Sequence, residues 1–222
     1  MKRTLFLAAL VVVALAGAIL AAHLLARPAA ADEGWTIDNF VANIDVQADG
    51  SMVVEEAIDV DFGSLQKHGI LREIPIEYAY DAKKDRIYGF DVMSITDANR
   101  QPIKYERTRD GANVRLKIGD PGRTVSGKQS YRISYRVTGA LNAFADHDEL
   151  YWNVNGPDWP VRTTHVAANV RIPNGVYPQI ACYQGPTGST DPCRSMVSDQ
   201  GEGALFSATR AFASGEQLTV AA

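Results

Sequence analysis

Several short stretches of the chain carry side chains whose types and spacing could support chemistry. In "KHGILREIPIEY", His68, Arg72 and Glu73 surround an Ile-Leu step. Such a trio can bind an anion or move a proton, because imidazole titrates near neutrality. The plainer alternative, which is favoured, has Gly69 and Pro75 shaping a loop whose Ile70, Leu71 and Ile74 cover a core. Arg72 and Glu73 then tie that loop down by ion pairs. In "ADHDEL", Asp146, His147, Asp148 and Glu149 bring three acids and an imidazole together, donors that a metal ion takes. Neighbouring side chains on an extended segment alternate faces, so all of these cannot converge. The spacing fits neither an EF-hand loop nor H-E-x-x-H, and a solvated acidic turn is the expectation.

The stretch "DELYWNVNGPDWPV" holds two of the three tryptophans in the chain. On a strand, Leu150, Trp152 and Val154 share one face, while Tyr151, Asn153 and Asn155 share the other. That places Trp152 in a core. Gly156-Pro157 turns the chain, and Trp159 can close an apolar end with its indole N–H on a backbone carbonyl. The sharper alternative is an exposed platform of Tyr151 and Trp159, with Asn153 beside it, for a sugar ring or a partner chain. Ser189 in "GPTGST" lacks both the G-x-S-x-G frame of a nucleophile elbow and the lysine of a phosphate loop. The histidines, His23, His68, His147 and His165, are too scattered to nominate a triad. No catalytic signature emerges, no cofactor or metal is expected, and no enzyme activity is assigned.

The elements that must position these residues have a period of two. In "FVANIDV", Phe40, Ala42, Ile44 and Val46 point one way. In "MVVEEAIDVDF", Met52, Val54, Ile58, Val60 and Phe62 do likewise, with Glu56 breaking the stripe. Asp49-Gly50 between them predicts a β-hairpin. A second hairpin is expected to turn at Asp110-Gly111, with Val114, Leu116 and Ile118 on its apolar face. "SYRISYRV", "HVAANVRI", "ALFSATRAF" and "EQLTVAA" continue the alternation. Residues 64–86 are the least strand-like interval and read as a loop with a short helical turn. About nine to eleven short strands with such turns predict an all-β protein, an antiparallel β-sandwich of immunoglobulin-like general architecture.

An N-terminal hydrophobic helix is expected to precede it. Lys2 and Arg3 are followed by the uncharged run "LFLAALVVVALAGAILAA", and Ala29 and Ala31 fit the small-x-small rule for signal cleavage before Asp32. An uncleaved anchor is the alternative. Either way the remainder lies outside the cytoplasm, because the positive end stays inside. The net charge of the whole chain is −4; loss of Lys2, Arg3 and Arg27 with residues 1–31 takes it to −7. An acidic chain without a basic stripe is a poor nucleic-acid binder. Cys182 and Cys193, a nearby pair in an exported chain, are expected to form a disulfide.

Taken in order, "VANIDVQADGSMVVEEAIDVDF", "HGILREIP", "VRLKIGDPGRTVSGKQSYRISYRVTGAL", "DELYWNVNGPDWPV" and "CYQGPTGSTDPC" resemble the predicted-membrane-protein family known as domain of unknown function 2207. The resemblance covers roughly residues 35–220. It implies an exported β-rich domain followed by transmembrane helices and a cytoplasmic tail, with no assigned activity and so no catalytic residue to carry over. Nothing after residue 31 is apolar enough to span a bilayer, and the chain stops at Ala222, where a connection to a later helix is expected.

The expectation is therefore a leader over residues 1–31, signal peptide or signal anchor. An extracytoplasmic domain over residues 32–222 follows, cut short at its C-terminal end. The domain sits at a bacterial-type cell membrane or beyond it, and binds an envelope protein or glycan. Its expected surface is built from His68, Arg72, Glu73, Tyr151, Asn153 and Trp159. The alternative is an envelope hydrolase using a metal, or His68 and His147 with nearby carboxylates.

Overall fold

Alternation along the chain becomes strand after strand. The computed structural model describes residues 33–79, 85–173, 177, 179–198 and 203–222. The expected leader helix and the cleavage point at Ala31 and Asp32 lie outside the described residues. Strands β1 (Thr36–Val46) and β2 (Met52–Asp61) form the first hairpin, turning where Gly50 takes a φ of 76°. Next come β3 (Gly69–Pro75), β4 (Glu77–Ala79), β5 (Asp85–Ile87) and β6 (Gly89–Thr96). The second hairpin joins β7 (Tyr105–Asp110) to β8 (Asn113–Gly119). The chain continues through β9 (Lys128–Thr138), β10 (Leu141–Ala143), β11 (Asp148–Asn153) and β12 (Thr163–Arg171). It closes with β13 (Ala181–Pro186), β14 (Arg194–Val197), β15 (Ala204–Ser207) and β16 (Glu216–Ala221). Among the described residues no helix is long and apolar enough to cross a membrane.

These strands build a seven-stranded sheet in the order β14-β15-β12-β1-β2-β9-β6, a four-stranded sheet β10-β11-β16-β13, and a three-stranded sheet β3-β8-β7. The short ribbon β4-β5 completes the set. The all-β expectation holds, but the layout differs from two antiparallel layers. In the large sheet β1 pairs with β12 in parallel, from Ile37 beside Thr163 to Asp45 beside Arg171. Side-chain alternation reports which face is buried and carries no information on strand direction, so this pairing was invisible in the pattern.

Gly69–Pro75, Glu77–Ala79 and Asp85–Ile87 are also strands rather than a loop. In β3, Ile70, Arg72 and Ile74 all point inward; the arginine at the middle inward position hides the period. Strand β3 meets β8 at Gly69 and Gly119, which are cross-strand partners. A Cβ on Gly69 would sit 1.9 Å from the Ile118 carbonyl oxygen, and one on Gly119 would sit 1.8 Å from that of His68. Independently, their φ values of 137° and 139° are ones that glycine alone adopts readily, having no Cβ to meet its own backbone.

Inward residues of the sheets share one core. Phe40, Ile44, Val54, Ile58, Tyr135 and Val137 come from the large sheet, Leu150, Trp152, Leu218 and Val220 from the four-stranded one, and Ile74, Leu116 and Ile118 from the three-stranded one. Each fully buried aliphatic side chain stabilises the fold by roughly 1.5–3 kcal/mol. Cys182 in β13 and Cys193 just before β14 are joined by a disulfide, as their spacing suggested.

Candidate binding site

The charged residues that break the apolar stripes of β2 and β3 are partners. Arg72 is 2% exposed and Glu56 1%. The Arg72 Nε and Nη2 donate to the two carboxylate oxygens of Glu56 at 2.9 and 2.7 Å. Its Nη1 donates to the carbonyls of Glu73 at 2.8 Å and Asn155 at 2.7 Å, and Nη2 also reaches that of Val154 at 3.1 Å. A guanidinium has five N–H donors, and all are used. Tyr135 donates its hydroxyl to Glu56 at 2.7 Å. The rings of Phe40 and Trp159 lie over the guanidinium, with centroids 5.3 and 5.9 Å away. Burial works against the charge on Arg72, but the adjacent Glu56 carboxylate outweighs it and raises the pKa. Burial, reinforced by the same carboxylate, pushes the Tyr135 hydroxyl well above its ordinary value. This cluster joins β2 and β9 of the large sheet, β3 of the three-stranded sheet and the segment following β11, and leaves no guanidinium donor of Arg72 for a ligand.

Arg72 and Trp159 therefore do not belong to an exposed surface. Trp159 is 4% exposed, and its indole N–H donates to the Asn155 carbonyl at 2.9 Å, closing the apolar end. Trp152 lies in the core beside Leu150 and Val154, stacked at 6.3 Å on Tyr88. Glu73 is half-buried and paired with Arg115 at 2.5 Å. Asn153 accepts from Thr219 at 2.9 Å. Of the expected surface, Tyr151 and His68 are exposed, at separate places in the fold. His68 sets its Nδ1 against the Arg123 carbonyl oxygen at 2.9 Å. His147 is exposed too, its Nδ1 2.8 Å from Asp146 and its ring stacked on Phe144. Among the described residues no group of His, Cys, Asp and Glu is arranged to hold a metal ion.

A groove that the sequence reading did not nominate opens beside β7. Opposite Tyr105, Arg107 and Arg109 stand Ile118, Leu116 and Val114 of β8, all buried. The inward residues of β8 meet the core, whereas β7 overhangs its margin and all of its residues are exposed. Beneath the overhang is a cavity of about 300 Å³ with a floor of Ile76, Tyr88, Phe90 and Val114. Ile87, 58% exposed, stands at its rim. Arg107 crosses the groove, donating from Nη2 to the Phe90 carbonyl at 2.7 Å with its guanidinium 5.5 Å from the Phe90 ring centroid. Arg109 is ion-paired with Glu77, whereas no carboxylate among the described residues pairs with Arg107. The sequence signal was faint: a Tyr-Arg-Arg alternation facing an apolar row in the same hairpin.

The groove has the free edge of a sheet as one wall. Gly119 donates its N–H to the Lys104 carbonyl at 2.8 Å, which fixes the ladder parity across β7 and β8. Hydrogen-bonded pairs alternate with non-bonded ones, so the backbone N–H and C=O of Tyr105, Arg107 and Arg109 point away from β8. The arrangement can present an apolar floor, one unmatched cation and a row of backbone groups to an extended ligand.

The family model described as "Predicted membrane protein (DUF2207) N-terminal domain" matches residues 36–222. No curated protein matches the chain. Among solved structures, native leukotriene A4 hydrolase from Saccharomyces cerevisiae aligns with a TM-score of 0.53 at 10% identity, over 89% of this chain and 31% of that one. Yeast leukotriene A4 hydrolase in complex with bestatin gives 0.53 at 10% identity, over 85% and 28%. The M1 zinc metallopeptidase from Deinococcus radiodurans gives 0.46 at 11% identity, over 85% and 42%. The chain thus spans less than a third of the yeast hydrolases, and the likeness is one of fold.

Proposed function

Because the chain belongs to the DUF2207 N-terminal domain family of predicted membrane proteins, we propose that it is a non-enzymatic, extracytoplasmic binding module of a membrane protein. The positive, then apolar, N-terminus supports export and attachment to the envelope. The observation that carries the binding reading is the groove under β7, where a cavity of about 300 Å³ lies above Tyr88 and Phe90 and Arg107 has no carboxylate partner among the described residues. Pockets of that make-up, apolar with a few placed polar groups, are the usual form of a ligand site. The hydrolase alternative finds little support: His68 and His147 are exposed and bonded to neighbours, and neither lines the groove. From the yeast hydrolases only the architecture is carried over, since this fold accounts for a minor part of their length.

The test is selection of a displayed random peptide library on the purified full chain. Enriched peptides are expected to lose binding to Ile87→Glu and to keep it to Met93→Glu, whose side chain lies beside Ser134 on the outer face of the large sheet. Both sites are more than half exposed, so neither substitution disturbs the core. Peptides bound alike by both variants would overturn the reading. So would peptide hydrolysis by the chain that disappears in His68→Ala or His147→Ala.

A further inference from the structure

We infer that the groove takes an extended peptide as an added strand along β7, with a peptide carboxylate against Arg107 and apolar side chains on either side of that acid. The inference rests on the binding-module reading and names the ligand of the same site.

Three features converge on this ligand. The first is the free edge. Tyr105, Arg107 and Arg109 turn their N–H and C=O groups away from β8, and a peptide strand satisfies such a row by main-chain hydrogen bonds. The second is the charge. Arg109 is matched by Glu77, but Arg107 donates from Nη2 to a neutral carbonyl and has no carboxylate partner among the described residues. Stacking on Phe90 holds the guanidinium in place, so its remaining N–H donors are presented rather than left to wander. The third is the floor. Tyr88 and Phe90 lie beneath and Ile87, 58% exposed, at the rim, while Tyr105, 45% exposed, shares the Arg107 side of β7.

Side chains two apart on a strand share a face, so a peptide with an acid facing the groove presents its second neighbours there as well. An apolar-x-acidic-x-apolar segment therefore fits. Charged residues on an edge strand can also serve simply to deter strand pairing. That role would leave no reason for a cavity beneath the same strand, and the two roles give opposite results in the test.

The probes are the blocked peptide Val-Thr-Asp-Thr-Val, its Asp→Asn analogue, and two N-methylated forms. One of these is methylated at the Val and Asp nitrogens, the other at the Thr nitrogens. Binding to the full chain is measured by titration calorimetry. The Asp peptide is expected to bind about tenfold more tightly than the Asn peptide, as a charge-assisted hydrogen bond does. One methylated form should fail to bind, and the other should bind like the parent, because alternate N–H groups face opposite edges. In Arg107→Gln, which keeps a donor for the Phe90 carbonyl, the Asp and Asn peptides should become equal. Thermal unfolding checks that this variant is folded.

Equal binding of both methylated forms, or of the Asp and Asn peptides to the unaltered chain, overturns strand addition. Where binding remains sensitive to Ile87→Glu in that case, the binding module itself stands. If none of these probes binds, strand addition by such a segment falls. The library selection then decides the broader reading on its own.

Discussion

At Arg72, five donors meet five acceptors, and every one of those acceptors is buried or half-buried. Removing the guanidinium leaves the Glu56 carboxylate without a counter-charge inside the core, which is far costlier than never having placed the pair there. Arg72→Met should therefore destabilise the domain by about 3–5 kcal/mol in urea unfolding. Glu56→Leu combined with Arg72→Met should cost less than the sum of the single changes by about 1–3 kcal/mol, since the second change removes the stranded charge. Additive losses would show that the residues act independently. By contrast Tyr151→Ala, at an exposed site, should leave the unfolding midpoint nearly unchanged. That Arg72 makes an ion pair was legible, but its acidic partner and the burial of the pair were not. An arginine in a Gly/Pro-flanked stretch reads as a residue that pins a surface loop. Only the fold reveals that Glu56, sixteen residues earlier, stands opposite it.

Both hairpins were readable from their Asp-Gly turns, and the inward set Tyr131, Ile133, Tyr135 and Val137 of β9 from its unbroken alternation. Strand β3 was not, since its central inward residue is charged. The groove was missed for a related reason: β7 has no apolar stripe, and its overhang depends on how far the three-stranded sheet extends past the large one. The cysteine pair shows what short-range sequence can decide. It staples β13 of the four-stranded sheet to the segment entering β14, at the margin of the large sheet. Replacing both cysteines by alanine should lower stability by about 3 kcal/mol, the chain-entropy value for so short a loop. The denaturant midpoint should fall accordingly. A midpoint insensitive both to the replacement and to reductant would mean that the pairing constrains nothing.

Across the whole molecule, several carboxylates are held below their ordinary range. Hydrogen bonds from Arg210 do so for Glu216, and one from Lys67 does so for Glu33. At Asp59 burial pulls the other way but is outweighed by Ser130 and Arg132. A carboxyl whose folded pKa is depressed lends stability above its unfolded pKa and loses it as pH falls through the folded one. The melting temperature should thus be level above about pH 5 and decline progressively below about pH 4.5. Glu216→Gln should make the acid decline shallower; a decline of unchanged steepness would remove Glu216 from the account. The direction of strand pairing is the other property of this scale, and it sets a timetable. Strand β1 lies between β2, its immediate successor, and β12, whose Thr163 sits beside Ile37. At ordinary ribosomal speed the second neighbour is synthesised roughly 6–25 s after the first strand is complete. Until β9 emerges to pair with β2, both borders of the nascent hairpin are bare, and the β1 border stays so until β12 is made. A chaperone able to clasp bare strands thus has a defined window in which to act.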